Sequence, residues 1–190
     1  MPTFGNPTMP HFNDMGGTLR DAPEGAQKWD YRKLAPLPGA AMDIRLREIT
    51  RETVTPVIKL DAGDDGMQVA PNAVSIAQAY FQKEAWFRAI HAGDTLVGFV
   101  MLFDPTLVEQ PSEPDFFLWR LMIDKSHQGQ GYGAAAVEAL VDHVRTRPGA
   151  RRLLVSHMKT AERLGRFYGS LGFVYTGAED SGELVMERPL

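Results

Sequence analysis

Apolar and polar positions along the chain sort it into short elements from residue 42 onward. Met42, Ile44 and Leu46 alternate with Asp43, Arg45 and Arg47, the period of a half-buried strand. Thr50 can cap a short helix running to about residue 60, with Pro56 distorting it, and the run 61–66 reads as a turn. Asn72 is placed to cap a helix around 75–82. Strands follow over 86–91 and 95–103, with Ala92-Gly93-Asp94 between them as a hairpin turn. Residues 104–114 carry three prolines and read as a loop. A third long strand spans 116–123, followed by a glycine-rich turn. The helix predicted over 131–145 puts Val137, Leu140, Val141 and Val144 on one face, and Pro148 and Gly149 stop it. A short buried strand at 152–157, a helix at 161–170 ended by Leu171-Gly172, and a closing hairpin over 173–176 and 182–187 complete the chain. The pattern is an antiparallel meander, then a β-α-β-α unit, then a hairpin. The fold class it predicts is α/β (α+β): a mixed, mostly antiparallel sheet of six or seven strands flanked by about four helices.

Residues 1–41 differ. They hold Pro2, Pro7, Pro10, Pro23, Pro36 and Pro38 and show neither period, so they are expected to be an N-terminal extension to a domain over 42–190. Composition narrows the class of protein. A net charge of −4 argues against bulk-charge binding of nucleic acid. The absence of cysteine excludes disulfides, thiolate metal sites and a cysteine nucleophile. The longest apolar run, 96–103, is too short to span a bilayer, and the N-terminus lacks a signal pattern. A cytoplasmic protein without membrane or nucleic-acid partners is expected. None of His11, His91, His127, His143 and His157 has metal-ligand spacing, so no metal is expected; His157 alone, at a strand end, could face a site.

The most informative stretch runs from Asp124 through Gln128, Gly129, Gln130, Gly131, Tyr132 and Gly133 to Ala134. Strand, glycine turn and helix in that order aim unpaired backbone N–H groups at one spot and add the helix dipole, which suits an anion. There is no Gly-Lys-Ser/Thr ending, and single residues separate the glycines, so neither the P-loop nor the dinucleotide fingerprint is matched. A ligand-free glycine turn is the alternative.

Gln128-x-x-Gly131-x-Gly133, together with Phe167-Tyr168-Gly169-Ser170-Leu171-Gly172-Phe173, resembles the GNAT (Gcn5-related) N-acetyltransferases, and the order of elements resembles theirs from residue 42 to 190. Finer similarity, to bacterial spermine/spermidine or diamine acetyltransferases, lies in residues 69–79, 97–102, 118–124 and 182–186; the chain departs from that branch in the loop His157-Met158-Lys159-Thr160.

The resemblance implies acetyl-CoA as cosubstrate. Its pyrophosphate would lie on Gln128, Gly129, Gln130, Gly131, Tyr132, Gly133 and Ala134, and its pantetheine arm along the backbone of Leu121, Met122 and Ile123. It implies acetyl transfer to a primary amine by direct attack on the thioester, with a small polyamine or diamine preferred. Other amines, or a silent acyl-CoA-binding module, are the alternatives, and a homodimer is compatible with it. Tyr168 is the expected general acid, since a neutral phenol titrating near ~10 can protonate a thiolate; the alternative is a core aromatic. Glu84, Asp115 and Glu183 are candidate bases, Glu183 first, with a solvated strand carboxylate as the alternative. Trp86, Trp119 and Tyr80 are candidate pocket walls. The acids in 104–119, at 61–65 and at 179–183 could converge to attract a polycation, and the basic set Arg145, Arg147, Arg151, Arg152, Lys159, Arg163 and Arg166 could meet phosphates.

Overall fold

In the computed structural model, which describes residues 42–63 and 70–190, a single seven-stranded sheet carries helices on both faces. The chain order is β1 (Ile44–Arg47), α1 (Val54–Ile58), α2 (Asn72–Phe81), β2 (Ala85–Ala92), β3 (Thr95–Phe103), β4 (Phe116–Ile123), α3 (Tyr132–Arg145), β5 (Arg152–Met158), α4 (Glu162–Ser170), β6 (Val174–Asp180) and β7 (Glu183–Pro189). The strand order is β1-β2-β3-β4-β5-β7-β6, antiparallel at every junction except β4 with β5. The expected sheet and four helices are all present.

The apolar run at 96–103 becomes β3, whose residues from Val97 on are buried, as a central strand covered on both faces requires. One face packs under α3 and α4: Val100, Leu102, Leu118 and Val155 join Val137, Leu140, Val141 and Val144 of α3 and Tyr168 of α4. On the opposite face, Phe99 and Met101 meet Val57 of α1 and Ile76 of α2.

Several boundaries differ from the sequence pattern. The helix after β1 is little more than one turn, starting at Val54 behind Thr53, although Thr50 does open it by accepting the Val54 N–H at 2.9 Å. Asn72 is not a cap. Pro71 holds the N-cap position, and Asn72 turns inward, fully buried, to donate to the Val57 carbonyl at 2.9 Å. A tertiary acceptor on α1 outcompetes the local capping bond. β6 runs on to Asp180 past an irregularity at 176–178, where Gly177 has φ +82°. The turn residues 64–66 and the extension over 1–41 lie outside the described residues.

β4 and β5 pair only at Phe116 with Leu153 and Phe117 with Leu154. Beyond these two pairs the strands part, leaving a wedge open at their C-terminal ends. On its other edge β4 pairs with β3, with a shift of register at Trp119: Leu102 faces Leu118 and Met101 faces Arg120. Such a bulge bends the strand and re-aims the side chains beyond it.

Candidate active site

The wedge and the start of α3 form the candidate site. β4 ends at Ile123, and Asp124 turns the chain by accepting from the Ser126 N–H at 3.0 Å and from the Asp61 N–H at 3.0 Å. The Asp61 N–H first, then the Ser126 hydroxyl and N–H, hold its carboxyl below the usual carboxylate range. Gln128 Nε2 donates to the carbonyls of Ile123 (3.0 Å) and Ala62 (2.9 Å), tying the turn to the end of β4 and to the segment before α2. Its side chain thus holds the shape of the loop, and only its backbone N–H is left for a ligand.

Gly129 and Gly131 sit at φ +74° and +86°, a left-handed backbone that suits glycine. Gly131 is the N-cap of α3 and offers no side-chain cap. The first bond into the helix runs from Ala135 N–H to the Gly131 carbonyl, at 3.1 Å. The N–H groups of Gly129, Gln130, Gly131, Tyr132, Gly133 and Ala134 therefore have no acceptor among the described residues. This cradle of orphaned donors at a helix N-terminus fits a pyrophosphate, and the unpaired edge of β4 at Leu121, Met122 and Ile123 fits an extended amide-bearing arm.

On the α3/α4 side of the wedge, Tyr168 is buried with its ring edge-on to Phe167 (5.1 Å) and Phe173 (5.5 Å). It packs in one cluster with Leu118 and Val155, one residue on each strand where the ladder ends. Burial pushes its phenol well above the ordinary value, so the hydroxyl stays protonated throughout the neutral range. On the other side, Ser156 of β5 donates a short hydrogen bond to Glu183 at the head of β7, and Glu183 in turn exerts its charge on Arg120 of β4.

Four sequence candidates, Glu84, Asp115, Trp86 and Tyr80, are placed elsewhere. Glu84 is buried and accepts from Gln82 Nε2 (2.7 Å) and Ser112 N–H (3.2 Å), which holds a loop. Asp115 is clamped by Arg152 through Nε (3.1 Å) and Nη2 (2.6 Å). Trp86 is core, stacked 4.1 Å from His143 of α3. Tyr80 is exposed at the end of α2, while Trp119 sits at the bulge beside the wedge.

His157 is buried on the α4 side, bonded to the Met158 carbonyl (2.9 Å) and the Tyr175 hydroxyl (3.1 Å). It borders a separate hollow of about 320 Å³ under α4. Among the described residues no three His, Asp or Glu gather as a metal site, and no helix is long and apolar enough to cross a membrane.

Several members of the expected charge clusters lie apart, whereas Glu183 is at the wedge and Asp64 and Asp65 lie outside the described residues. Arg145 and Arg147 lie at the C-terminal end of α3, about 20 Å along the helix from the cradle. Arg147 pairs there with buried Asp104 at 2.9 Å. Arg151 and Arg152 are at the start of β5, the end away from the wedge mouth. Lys159 pairs with Glu179, and Arg166 with Glu162. Of the acids, Asp61 pairs with Lys125, while Asp104 and Asp115 are held by the arginines just named.

The family model described as Acetyltransferase (GNAT) family matches residues 61–173, more than half of the chain. The chain belongs to this family. Two relatives are named Spermine/spermidine N(1)-acetyltransferase, from Bacillus subtilis (strain 168), and Probable spermine N(1)-acetyltransferase, from Bacillus subtilis subsp. natto. They are 34% and 35% identical over 103 residues, which is 53% of this chain and 66% of each relative. Among solved structures, the PaiA N-acetyltransferase of Thermoplasma acidophilum in complex with coenzyme A shares the fold. Its TM-score is 0.57 at 16% identity, covering 78% of this chain and 100% of that one.

Arg120 and Ser156 were not singled out from sequence. A lone arginine inside the apolar strand at 116–123 was the available signal for the first. Ser156 had none, because its role depends on Glu183, 27 residues away.

Proposed function

We propose that this GNAT protein transfers the acetyl group of acetyl-CoA to the primary amine of a small molecule, with the amine attacking the thioester directly. The observation that carries the reading is the conjunction of the β4/β5 wedge with the orphaned N–H cradle at the start of α3. Bound acetyl-CoA supplies an activated acetyl thioester. The cradle residues Gln128 to Ala134 would hold its pyrophosphate by backbone N–H groups, and 121–123 its pantetheine amides. A backbone N–H on that β4 edge would stabilise the oxyanion.

Glu183 is the proposed base. It takes the proton that an alkyl ammonium, with a pKa near ~10, must lose before its nitrogen can attack. Its hydrogen bond from Ser156 fixes the carboxylate on the open side of the sheet. Tyr168 is the proposed acid, on the closed side. With its phenolate disfavoured by burial it is always armed with a proton, which it donates towards the departing thiolate and regains from solvent. Overall one N–C bond forms and one C–S bond breaks; the nitrogen loses two protons, one to Glu183 before attack and a second as the amide forms, the thiolate gains one, and the net release is one proton.

A polyamine or diamine is the acceptor that the sequence pieces and the relatives' names support. A second reading, an amine that also carries a carboxylate, is favoured by one specific observation, the guanidinium of Arg120 beside the wedge.

Thiol release from acetyl-CoA, assayed across polyamines, amino acids, aminoglycosides and peptides, tests the activity. Tyr168→Phe should lower kcat by about 10² or more while acetyl-CoA still raises the melting temperature as in the parent. Equal turnover in the variant would return Tyr168 to a purely structural role. Stabilisation by acetyl-CoA without thiol release from any acceptor would favour a silent binding module.

A further inference from the structure

Arg120 has no part in the proton transfers, yet it stands at the mouth of the wedge. It comes immediately before the β4 edge at 121–123. Its register partner is Met101, whose side chain packs against Val57 of α1, so Arg120 belongs to the α1/α2 face of the sheet. Among the described residues that is the more open face of the wedge: the other is closed by α3 and α4, whereas α1 and α2 pack chiefly over β2 and β3. The bulge puts Trp119 on the same face. The guanidinium carbon lies 5.5 Å from the Trp119 ring centroid, and Nη1 donates to the Trp119 carbonyl at 2.8 Å.

One donor of the group is left over: its Nε–H is buried and meets no acceptor among the described residues. Glu183 acts on its charge through space and takes its own hydrogen bond from Ser156. A partly desolvated guanidinium with an unpaired donor costs stability in the free protein. It is also a rigid fork whose matching ligand is a carboxylate. A second cation brought to the same place is repelled.

We infer that Arg120 selects the acceptor, and that the acceptor is a primary amine carrying a carboxylate (an amino acid or a small molecule of that chemistry), its carboxylate on Arg120 and its nitrogen towards Glu183. The inference rests on the acetyl-transfer reading. It differs from the polyamine reading in the sign of the charge beside the reacting nitrogen.

Matched pairs that differ only by the carboxylate separate the two: ornithine against putrescine, lysine against cadaverine, and further α-amino acids against the amines they give on decarboxylation. With the full chain and saturating acetyl-CoA, at least one carboxylate member should exceed its partner in kcat/KM by about tenfold or more, the range of one charge-assisted hydrogen bond. Arg120→Gln should collapse that ratio by a similar factor, chiefly through the KM of the carboxylate acceptor, and Arg120→Lys should restore part of it. A merely structural Arg120 would lower both members alike and leave the ratio unmoved. Diamines or polyamines preferred in the parent protein, or a ratio unchanged in Arg120→Gln, overturns the inference and leaves acetyl transfer standing. No thiol release from any amine overturns the acetyl-transfer reading, and the inference falls with it.

Discussion

At the residue scale, Gly165 shows how one missing side chain organises the far end of the sheet. It lies in the middle of α4, where glycine weakens a helix. A Cβ at this position would overlap the Tyr175 hydroxyl and come within 3.1 Å of His157 Nε2. The glycine lets the hydrogen-bonded Tyr175–His157 pair sit directly under the helix. Gly165→Ala should therefore destabilise the fold by about 1–3 kcal/mol despite the better helix propensity of alanine. Tyr175→Phe, which removes the clashing oxygen, should recover part of that loss. Urea unfolding of the two single variants and the double variant checks this, and strictly additive effects would contradict the contact.

At the element scale, the strand-turn-helix from β4 to α3 combines two kinds of glycine. Gly131 needs its left-handed φ of +86°, and a Cβ there would also press on the flexible tip of Met42 at 2.9 Å. Gly133 has ordinary helical space, with a Cβ no closer than 3.5 Å to Phe167. Gly131→Ala should cost about 1–2 kcal/mol and raise the KM for acetyl-CoA by about tenfold, since it shifts the N–H cradle. Gly133→Ala should instead gain about 0.5–1 kcal/mol, as alanine replacing glycine inside a helix does. Denaturant midpoints and acetyl-CoA kinetics of the two variants distinguish conformational need from simple smallness.

At the scale of the whole molecule, buried Asp104 links distant parts of the chain. Its Oδ1 accepts from the Thr106 N–H and hydroxyl at 2.9 and 2.6 Å, and its Oδ2 lies 2.9 Å from Arg147 Nε beyond the end of α3. Asp104 is fully buried while Arg147 keeps 27% of its side chain exposed. Removing one partner of such a pair strands the other, so Asp104→Ala should cost roughly 2–4 kcal/mol, less than for a fully buried pair. In a chain of this size that is a fall in Tm of about 5–15 °C. A calorimetric scan showing no change would mean that the pair is not holding the loop to α3.

Much of this architecture was legible in the chain. The alternation at 42–47, the unbroken apolar run at 96–103 and the helical stripe of Val137, Leu140, Val141 and Val144 predict elements because one-sided or two-sided burial imposes its own period. The cradle was legible too, since strand, glycines and helix in sequence dictate where unpaired N–H groups point. What tertiary structure alone decided was the fate of individual polar groups. Asn72 looked like a cap until α1 supplied a better acceptor, and Arg147 and Arg152 looked like phosphate ligands until Asp104 and Asp115 claimed them from 43 and 37 residues away. The two-pair contact between β4 and β5, which opens the wedge, likewise has no local signature. Periodicity and backbone donors are properties of a short stretch of chain. Charge pairing and strand parting depend on partners that only folding brings within reach, and for that reason the wedge and the cation beside it, Arg120, emerged from the structure.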